Sequence, residues 1–478
     1  MKISAMKKFK PVFYPDSVAV VGASKDARKF GYLCLKSLVN SEFQGSIYPI
    51  NPGSSEILGL QSYPSIKSIP AKVDLAIIVV PAELVPSVLQ ECSHKGIKGA
   101  VIITAGFKEA EGFLGAELQD EARHIADNAD IKIIGPNTFG MFNTHADLNA
   151  SFTPLLSTMP QGDISFVSQS GGMCHTVSYL ALDDGIGLDK VLSLGNRCNV
   201  DFADILEFLG EDLHTRAIAM YIEGIDNPRS LVEAAKKVVR KKPVVAYKIG
   251  KSQTASRAAY SHTGSLAGNY ELYDAALRQA GVLMVNDSVE LLDTAKALAF
   301  CPPAQGRRIA FCSPVAGPGI VSADCGQGHG LTIAEFSAAT REKIEAILPP
   351  RTFRMNPLDM AFARDLDMWQ EILMTIINDP GVDAMLIFFV KQEFFDSIIG
   401  GVVELLIDLL KTYMKPIVMC LISPRDIFVK EKAKLQKNRI PVYQTPERAV
   451  RALAALVKYS KMRQSSGIQV LQAQPTDI

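Results

Sequence analysis

At 478 residues the chain has room for two to four domains of about 100–200 residues each. Hydrophobic residues make up 48% and charged residues 21%, which suits packed globular cores and argues against a disordered or fibrous chain. Acidic and basic residues balance at 50 each, so no overall field favours nucleic acid or an anionic membrane.

The first ten residues are basic, a proline and an acid come soon after them, and Val18–Val21 is too short for the apolar region of a signal peptide. No uninterrupted apolar stretch reaches the roughly 20 residues that cross a bilayer. The eight cysteines are scattered, without a CxxC pair, and no HExxH occurs. These features predict a cytoplasmic chain with no metal site.

In chain order, strands are predicted at Val18–Val21, Ile47–Ile50, Leu75–Val80, Ala100–Ile103 and Ile131–Ile134, with helices such as Leu84–Lys95 and Phe113–Asn128 between them. Near-continuous apolar strands alternating with helices indicate a doubly wound α/β domain with a parallel sheet. The Ser/Thr/Pro-rich passage Asn149–Gly162 reads as a connection. A second α/β unit comes next, with strands at Ile164–Ser168, Val191–Leu194, Ala217–Tyr221, Val244–Lys248 and Leu283–Val285, closed by a helix at Val289–Leu298. After a linker at Cys301–Gly306, a third unit has strands at Arg308–Ser313, Leu331–Phe336, Ala384–Phe389, Ile417–Met419 and Val442–Tyr443, closed by a helix at Pro446–Tyr459. Lys242-Pro243-Val244-Val245 resembles Lys415-Pro416-Ile417-Val418, which suggests that the second and third units share an architecture. The expected domains are 1–145, 146–300 and 301–460, with a polar tail over 461–478.

Val18-Ala19-Val20-Val21-Gly22-Ala23-Ser24 runs a strand into a turn of small residues. Such a turn serves either tight packing or close approach to a phosphate at the next helix start. Four further strand ends carry Asn51-Pro52-Gly53, Val80-Pro81-Ala82, Thr104-Ala105-Gly106 and Gly135-Pro136-Asn137, which would gather at one sheet edge as a groove for a nucleotide-like cofactor. No acid stands after the second strand to hold an NAD ribose, so CoA suits the groove better.

Ser168-Gln169-Ser170-Gly171-Gly172 joins a strand to a helix, and its small residues leave helix amides open to a phosphoryl group; the alternative is a plain helix cap. His262 sits in the small-residue segment Ser261–Gly268. It reads either as a structural histidine or as a nucleophile that carries phosphate. Glu223, in Tyr221-Ile222-Glu223-Gly224, is either a solvated carboxylate or the group that orients that imidazole. No GxSxG elbow points to serine chemistry. Of the other histidines, His94 and His124 fall in helical patterns, His175 comes after the Gly-Gly turn, and His145, His214 and His329 have no partner by spacing.

In their combined order GAS…GY, IYPINP, VDLAIIVVPA, GPNTFG, SQSGG, SLGNRCNVDFADILE, YIEGI and SHTGSLAG resemble the ADP-forming acyl-CoA synthetases, relatives of succinyl-CoA synthetase, over roughly residues 10–460. The resemblance implies an N-terminal Rossmann-like CoA-binding domain and, after it, two flavodoxin-like domains of the succinyl-CoA-synthetase type. It implies a CoA wall of Gly22, Ala23, Ser24, Asn51, Val80, Pro81 and Thr104. It also implies phosphorylation of His262, a phosphate site at Ser170, Gly171 and Gly172, and Glu223 as the imidazole's partner. The implied reaction joins a carboxylic acid, CoA and ATP into acyl-CoA, ADP and phosphate through an acyl phosphate, with acetate the default acid. The family's ATP-grasp module has no counterpart in the sequence. A separate beta subunit carrying ATP/ADP and Mg²⁺ is therefore expected, in a heterotetramer of two copies of each. One turn departs from the family pattern: Cys312-Ser313-Pro314-Val315-Ala316-Gly317 replaces a Thr/Ser-Asn-Gly/Ala-Gly-Gly type. A CoA-binding regulatory protein without catalysis, and a nicotinamide-dependent dehydrogenase, are the competing readings.

Overall fold

The computed structural model describes residues 4–252, 254 and 270–465. The chain divides into two compact units, residues 1–288 and 289–478.

Unit one contains two large sheets and a small antiparallel pair, Glu56–Ile57 with Leu60–Gln61. After helix α1 (Ala5–Phe13), the first sheet is built from β1 (Ser17–Val21), β2 (Ser46–Ile50), β3 (Leu75–Ile78), β4 (Gly99–Ile102) and β5 (Lys132–Ile134), with α2 (Phe30–Asn40), α3 (Val85–Lys95) and α4 (Leu114–Ala129) between them. The strands lie in the order β2-β1-β3-β4-β5, all parallel. Every residue of β1, β3 and β4 is buried. Helices covering both faces make that burial possible, which is why these strands read as continuous apolar runs instead of alternating ones.

The second sheet takes β6 (Gly140–Asn143), β7 (Leu148–Ser151), β8 (Ile164–Ser168), β9 (Lys190–Ser193), β10 (Ala217–Ile222), β11 (Val244–Lys248) and β12 (Leu283–Val285). Its order is β12-β11-β10-β8-β9-β6-β7. Strand β6 runs antiparallel to both β7 and β9, and the remaining pairs are parallel. Helices α5 (Gly171–Asp184), α6 (Phe202–Glu211), α7 (Pro228–Val238) and α8 (Tyr270–Gln279) accompany it.

The β6–β7 hairpin corrects the expectation of a bare connection over Asn149–Gly162, because Leu148–Ser151 is a fully buried strand. Its polar residues are satisfied internally. Asn149 donates to the Thr153 carbonyl and to Ser157 Oγ, and accepts from the Ser151 hydroxyl at 2.7 Å. The expected boundary at 145–146 falls inside the hairpin.

Unit two opens at the second residue of α9 (Ser288–Phe300), a helix expected to close the preceding domain. Its sheet contains β13 (Arg308–Ser313), β14 (Thr332–Ile333), β15 (Leu358–Asp359), β16 (Ala384–Val390), β17 (Ile417–Ile422) and β18 (Val442–Tyr443). They run β14-β13-β16-β17-β18, with β15 beside β13. The predicted strand Leu331–Phe336 shortens to two residues. Helices α10 (Ala316–Gly328), α11 (Ala338–Ile347), α12 (Leu366–Asn378), α13 (Ile399–Thr412), α14 (Val429–Lys437) and α15 (Pro446–Ser465) complete the unit. The last of these runs into the expected polar tail, whose remainder lies outside the described residues.

The Lys-Pro repetition has a structural counterpart. Lys242 Nζ donates to the Leu209 and Asp212 carbonyls at the end of α6, and Lys415 Nζ donates to the Ile377 and Asp379 carbonyls at the end of α12. Each lysine thus serves carbonyls that a helix end leaves without intrahelical partners. A second matched device stands after the first inner strand of each sheet. Ser168 Oγ donates to the Ser170 carbonyl and accepts its N–H, and Ser313 Oγ does the same with Val315. The departing Cys312–Gly317 turn therefore keeps the fold of its counterpart. No helix among the described residues is long and apolar enough to cross a membrane.

Candidate active site

In the first sheet β1 lies between β2 and β3, so connections leave it in opposite directions. Open α/β sheets bind ligands beyond the carboxyl ends of the strands at such a switch point, here β1 and β3. Gly22 ends β1 with φ +88°, and a Cβ there would stand 2.6 Å from the Val79 carbonyl oxygen. Only glycine meets both demands. A Cβ on Gly31, in the first turn of α2, would fall 2.0 Å from the Gly22 oxygen. Turn and helix start are therefore in direct backbone contact. Helix α2 has neither a side-chain cap nor an acid in its first turn, so its amino end keeps its partial positive charge.

Neighbouring turns are tied to this edge. Asn51 Nδ2 donates to the Ala23 carbonyl at 2.7 Å, and its Oδ1 accepts from Gly53 N–H at 2.8 Å. Thr104 Oγ1 donates to the Val80 carbonyl at 2.7 Å, and Ser24 Oγ accepts from Asp26 N–H at 3.0 Å. Pro81 is exposed at the rim. The uncapped start of α2, beside a turn of small residues, suits an anionic group such as a pyrophosphate.

The second sheet presents its own edge. Ser168 pairs in register with Ser193 on one side and Tyr221 on the other. The Ser168–Ser170 turn ends at α5, where Ser170 is the N-cap residue without a side-chain cap bond. Gly171 packs on Phe139, which a Cβ would approach to 3.1 Å. Gln169 is 4% exposed. Its Oε1 accepts from the N–H groups of Glu223 and Gly224 at 3.1 and 3.0 Å, fastening the loop after β8 to the loop after β10. Its Nε2 has no partner among the described residues. A buried unsatisfied donor costs about 1–3 kcal/mol.

Glu223 is buried beside Tyr221, whose phenol is raised by burial, by the carboxylate's charge and by a hydrogen bond to it. Lys248 is 1% exposed and donates to the Glu223 and Ile249 carbonyls at 2.8 and 2.6 Å. Burial pushes its ammonium down to about 8.

The two edges are sewn together. Asn196 N–H donates to the Pro136 carbonyl at 2.9 Å, and Cys198 N–H to the Gly135 carbonyl at 3.0 Å. Glu109 accepts from Gly106 N–H at 2.6 Å and from the Asn196 amide. The Arg197 guanidinium is held by Asp226 at 2.9 Å and Asp201 at 3.4 Å.

Comparison with known proteins fixes the relationship. Residues 16–144 match a CoA binding domain, and residues 161–298 match a succinyl-CoA ligase like flavodoxin domain. The chain is 42% identical over 455 residues to the alpha subunit of acetate–CoA ligase (ADP-forming) II from Pyrococcus furiosus, covering 94% of this chain and 97% of that one. This chain belongs to the ADP-forming acyl-CoA ligase alpha subunits. It is also 39% identical to acetate–CoA ligase (ADP-forming) I of Archaeoglobus fulgidus, covering 94% of this chain and spanning 64% of that relative's length. An acetyl-coenzyme A synthetase from Ca. Korarchaeum cryptofilum, solved with phosphate and ADP, superposes with a TM-score of 0.88. It is 32% identical and covers 97% of this chain and 99% of that one. The chain is thus an acid-thiol ligase subunit with an amino-terminal CoA-binding domain.

The structure of this acyl-CoA ligase subunit brings Gly22, Ala23, Ser24, Asn51, Val80, Pro81 and Thr104 to one sheet edge. Ser170, Gly171, Gly172 and Glu223 stand at the neighbouring edge. His262 lies outside the described residues. Three groups at the ligase edges were not singled out in the sequence: Gln169, Lys248 and Glu109. A lysine ending an apolar strand was a signal for Lys248, and an acid three residues after Gly106 was one for Glu109. The rings of His145 and His214, which no spacing connects, stack at 4.0 Å. The surface concavity between α3 and α4, lined by Gln90, Glu117, Glu121 and His124, holds none of these groups. Among the described residues no cluster has metal-ligand character.

Proposed function

We propose that the subunit carries the phosphoryl relay of a reversible reaction: carboxylic acid, CoA and ATP give acyl-CoA, ADP and phosphate. His262 takes the phosphoryl group from ATP held with Mg²⁺ by an ATP-grasp beta subunit. Two copies of each chain make up the assembly. The substrate carboxylate then attacks phosphorus, and the CoA thiolate attacks the resulting acyl phosphate. The activation step is needed because a free carboxylate is a poor acyl donor. Ser170, Gly171 and Gly172 hold the phosphoryl group at the start of α5, where backbone amides favour an anion. Glu223 accepts a hydrogen bond from one imidazole nitrogen and so fixes the tautomer of the other.

The observation that carries this reading is the adjacency of the two edges. Gly171 at the start of α5 packs on Phe139, next to the Gly135–Thr138 turn of the CoA-binding domain. A thiol reaching past the first edge therefore arrives where the second would hold an acyl phosphate. Acetate, the acid in the names of the two ligases compared above, is the first substrate to test.

The test is intact-mass analysis after incubation with acyl-CoA, phosphate and Mg²⁺, with the cognate beta chain present. A labile gain of about 80 Da that the His262→Ala protein lacks, while it keeps CoA binding, is the expected result. Full turnover by His262→Ala would overturn the relay. No gain across a broad acyl-CoA panel would favour a CoA-binding regulatory role.

A further inference from the structure

The Gln169 side chain is only half used by the protein. Two backbone N–H groups, from Glu223 and Gly224, point at one atom of its carboxamide. Backbone N–H groups only donate, so that atom is the oxygen, and the amide orientation is fixed without ambiguity. The other end is an NH₂ with two hydrogens to give. It is buried, and no acceptor meets it among the described residues. Proteins rarely leave such a group unsatisfied unless something outside the fold completes it.

Its position says what would complete it. Gln169 directly precedes Ser170, the residue that caps α5, and its own N–H donates to the Tyr221 carbonyl. The NH₂ is thereby confined to the junction of the loops after β8 and β10. A donor beside an open helix start, with Lys248 buried behind the same loop, calls for an anionic oxygen acceptor.

We propose that Gln169 is a catalytic residue that donates through Nε2 to a non-bridging oxygen of the phosphoryl group in transit. This rests on the relay proposed above. In the step, a carboxylate oxygen forms the O–P bond as the N–P bond to His262 breaks. The N–P electron pair returns to the imidazole, and no external oxidant, reductant or proton is required. Charge spreads over the three non-bridging oxygens while phosphorus is loosely held, and a fixed donor is then most effective. Because Oε1 is already anchored, the NH₂ needs no reorganisation at that moment. Gln169 also fastens the loop that carries Glu223, so one side chain sets the distance between the oxyanion donor and the proposed imidazole partner.

The experiment measures phosphorylation of the full chain, with its cognate beta chain, from acetyl-CoA or another acyl-CoA and labelled inorganic phosphate. Gln169→Glu keeps an oxygen for the two backbone amides and removes both N–H donors. Gln169→Met removes donor and acceptor together and adds no charge. Both variants should lose about 10²-fold in the transfer rate with unchanged CoA affinity. Gln169→Glu should keep the wild-type melting temperature, whereas Gln169→Met strands the two amides and should lower it. Transfer at the wild-type rate by a folded Gln169→Met protein would overturn the proposal. So would a Gln169→Glu protein whose CoA affinity and melting temperature fall in step with the rate, which assigns Gln169 to structure alone. If wild type itself gains no label across the acyl-CoA panel, the relay fails and this proposal falls with it.

Discussion

Gly31→Ala isolates the contact that shapes the CoA edge. Its backbone is not left-handed, so an added methyl group brings no backbone strain and its unfavourable effect comes from contacts alone. The new Cβ would sit 2.0 Å from the Gly22 oxygen and 2.9 Å from the Gly22 carbonyl carbon, and both are backbone atoms that cannot rotate away. Restoring van der Waals separation requires the start of α2 and the β1 turn to part by on the order of 1 Å. Overpacking of this kind costs about 1–3 kcal/mol of stability. The same displacement draws the helix amides from a bound phosphate, and losing one hydrogen bond to a charged group costs about 1.5–3 kcal/mol. CoA should therefore bind roughly 10- to 100-fold more weakly by titration calorimetry. Gly400→Ala is the matched control, since that helical glycine has nothing within 4 Å of an added Cβ. It should leave CoA affinity unchanged and cost no stability, given alanine's higher helix propensity. Wild-type CoA affinity in a folded Gly31→Ala protein would refute the placement of CoA against this helix.

Two other perturbations exploit buried charge. Glu223→Gln should slow histidine phosphorylation about 10²-fold without abolishing it, read from the rate of label incorporation. An unchanged rate removes Glu223 from the relay. Lys190 is fully buried against Asp189 at 2.7 Å and Asp212 at 3.1 Å, and the Tyr14 hydroxyl also donates to Asp212. Lys190→Met strands these carboxylates and should destabilise by about 3–5 kcal/mol at pH 7, measured by denaturant unfolding. Burial raises the Asp212 carboxyl, but the Lys190 charge and the Tyr14 hydrogen bond outweigh it and hold the group below its usual range. In wild type that stabilisation is present above the carboxylate's ordinary value of about 3.9 and is lost as pH falls through the lower folded value. The variant reverses the sign, so its deficit should shrink between pH 7 and pH 4.5. A deficit that does not change with pH contradicts this account.

Strand-ending turns were the most legible part of the sequence, because buried parallel strands stay apolar to their last residue and then break into Gly, Ser, Asn or Pro. Val244–Lys248, Leu283–Val285 and Arg308–Ser313 begin and end where the pattern places them. The β6–β7 hairpin was hidden for the opposite reason. Asn149 and Ser151 are buried polar residues that satisfy one another, and by composition they look like loop. The turns bearing Gly22, Ser170 and Glu223 announced themselves through small residues and an acid at strand ends. Gln169 stood inside the same motif without a visible role. Its significance lies in the two amides of a strand-end loop 54 and 55 residues away, a relation that spacing does not encode.

The burial of the cysteines bears on chemical selectivity. Seven of the eight thiols are buried, and the eighth, Cys325, is partly so. Burial raises the thiols of Cys34, Cys92, Cys174, Cys198, Cys301, Cys312, Cys325 and Cys420. An acyl phosphate reacts with whatever thiolate reaches it first, and Cys174 lies in the first turns of α5, close to where the proposed intermediate would be held. Buried and held protonated, Cys174 does not compete with CoA as the sulfur nucleophile for the proposed acyl phosphate.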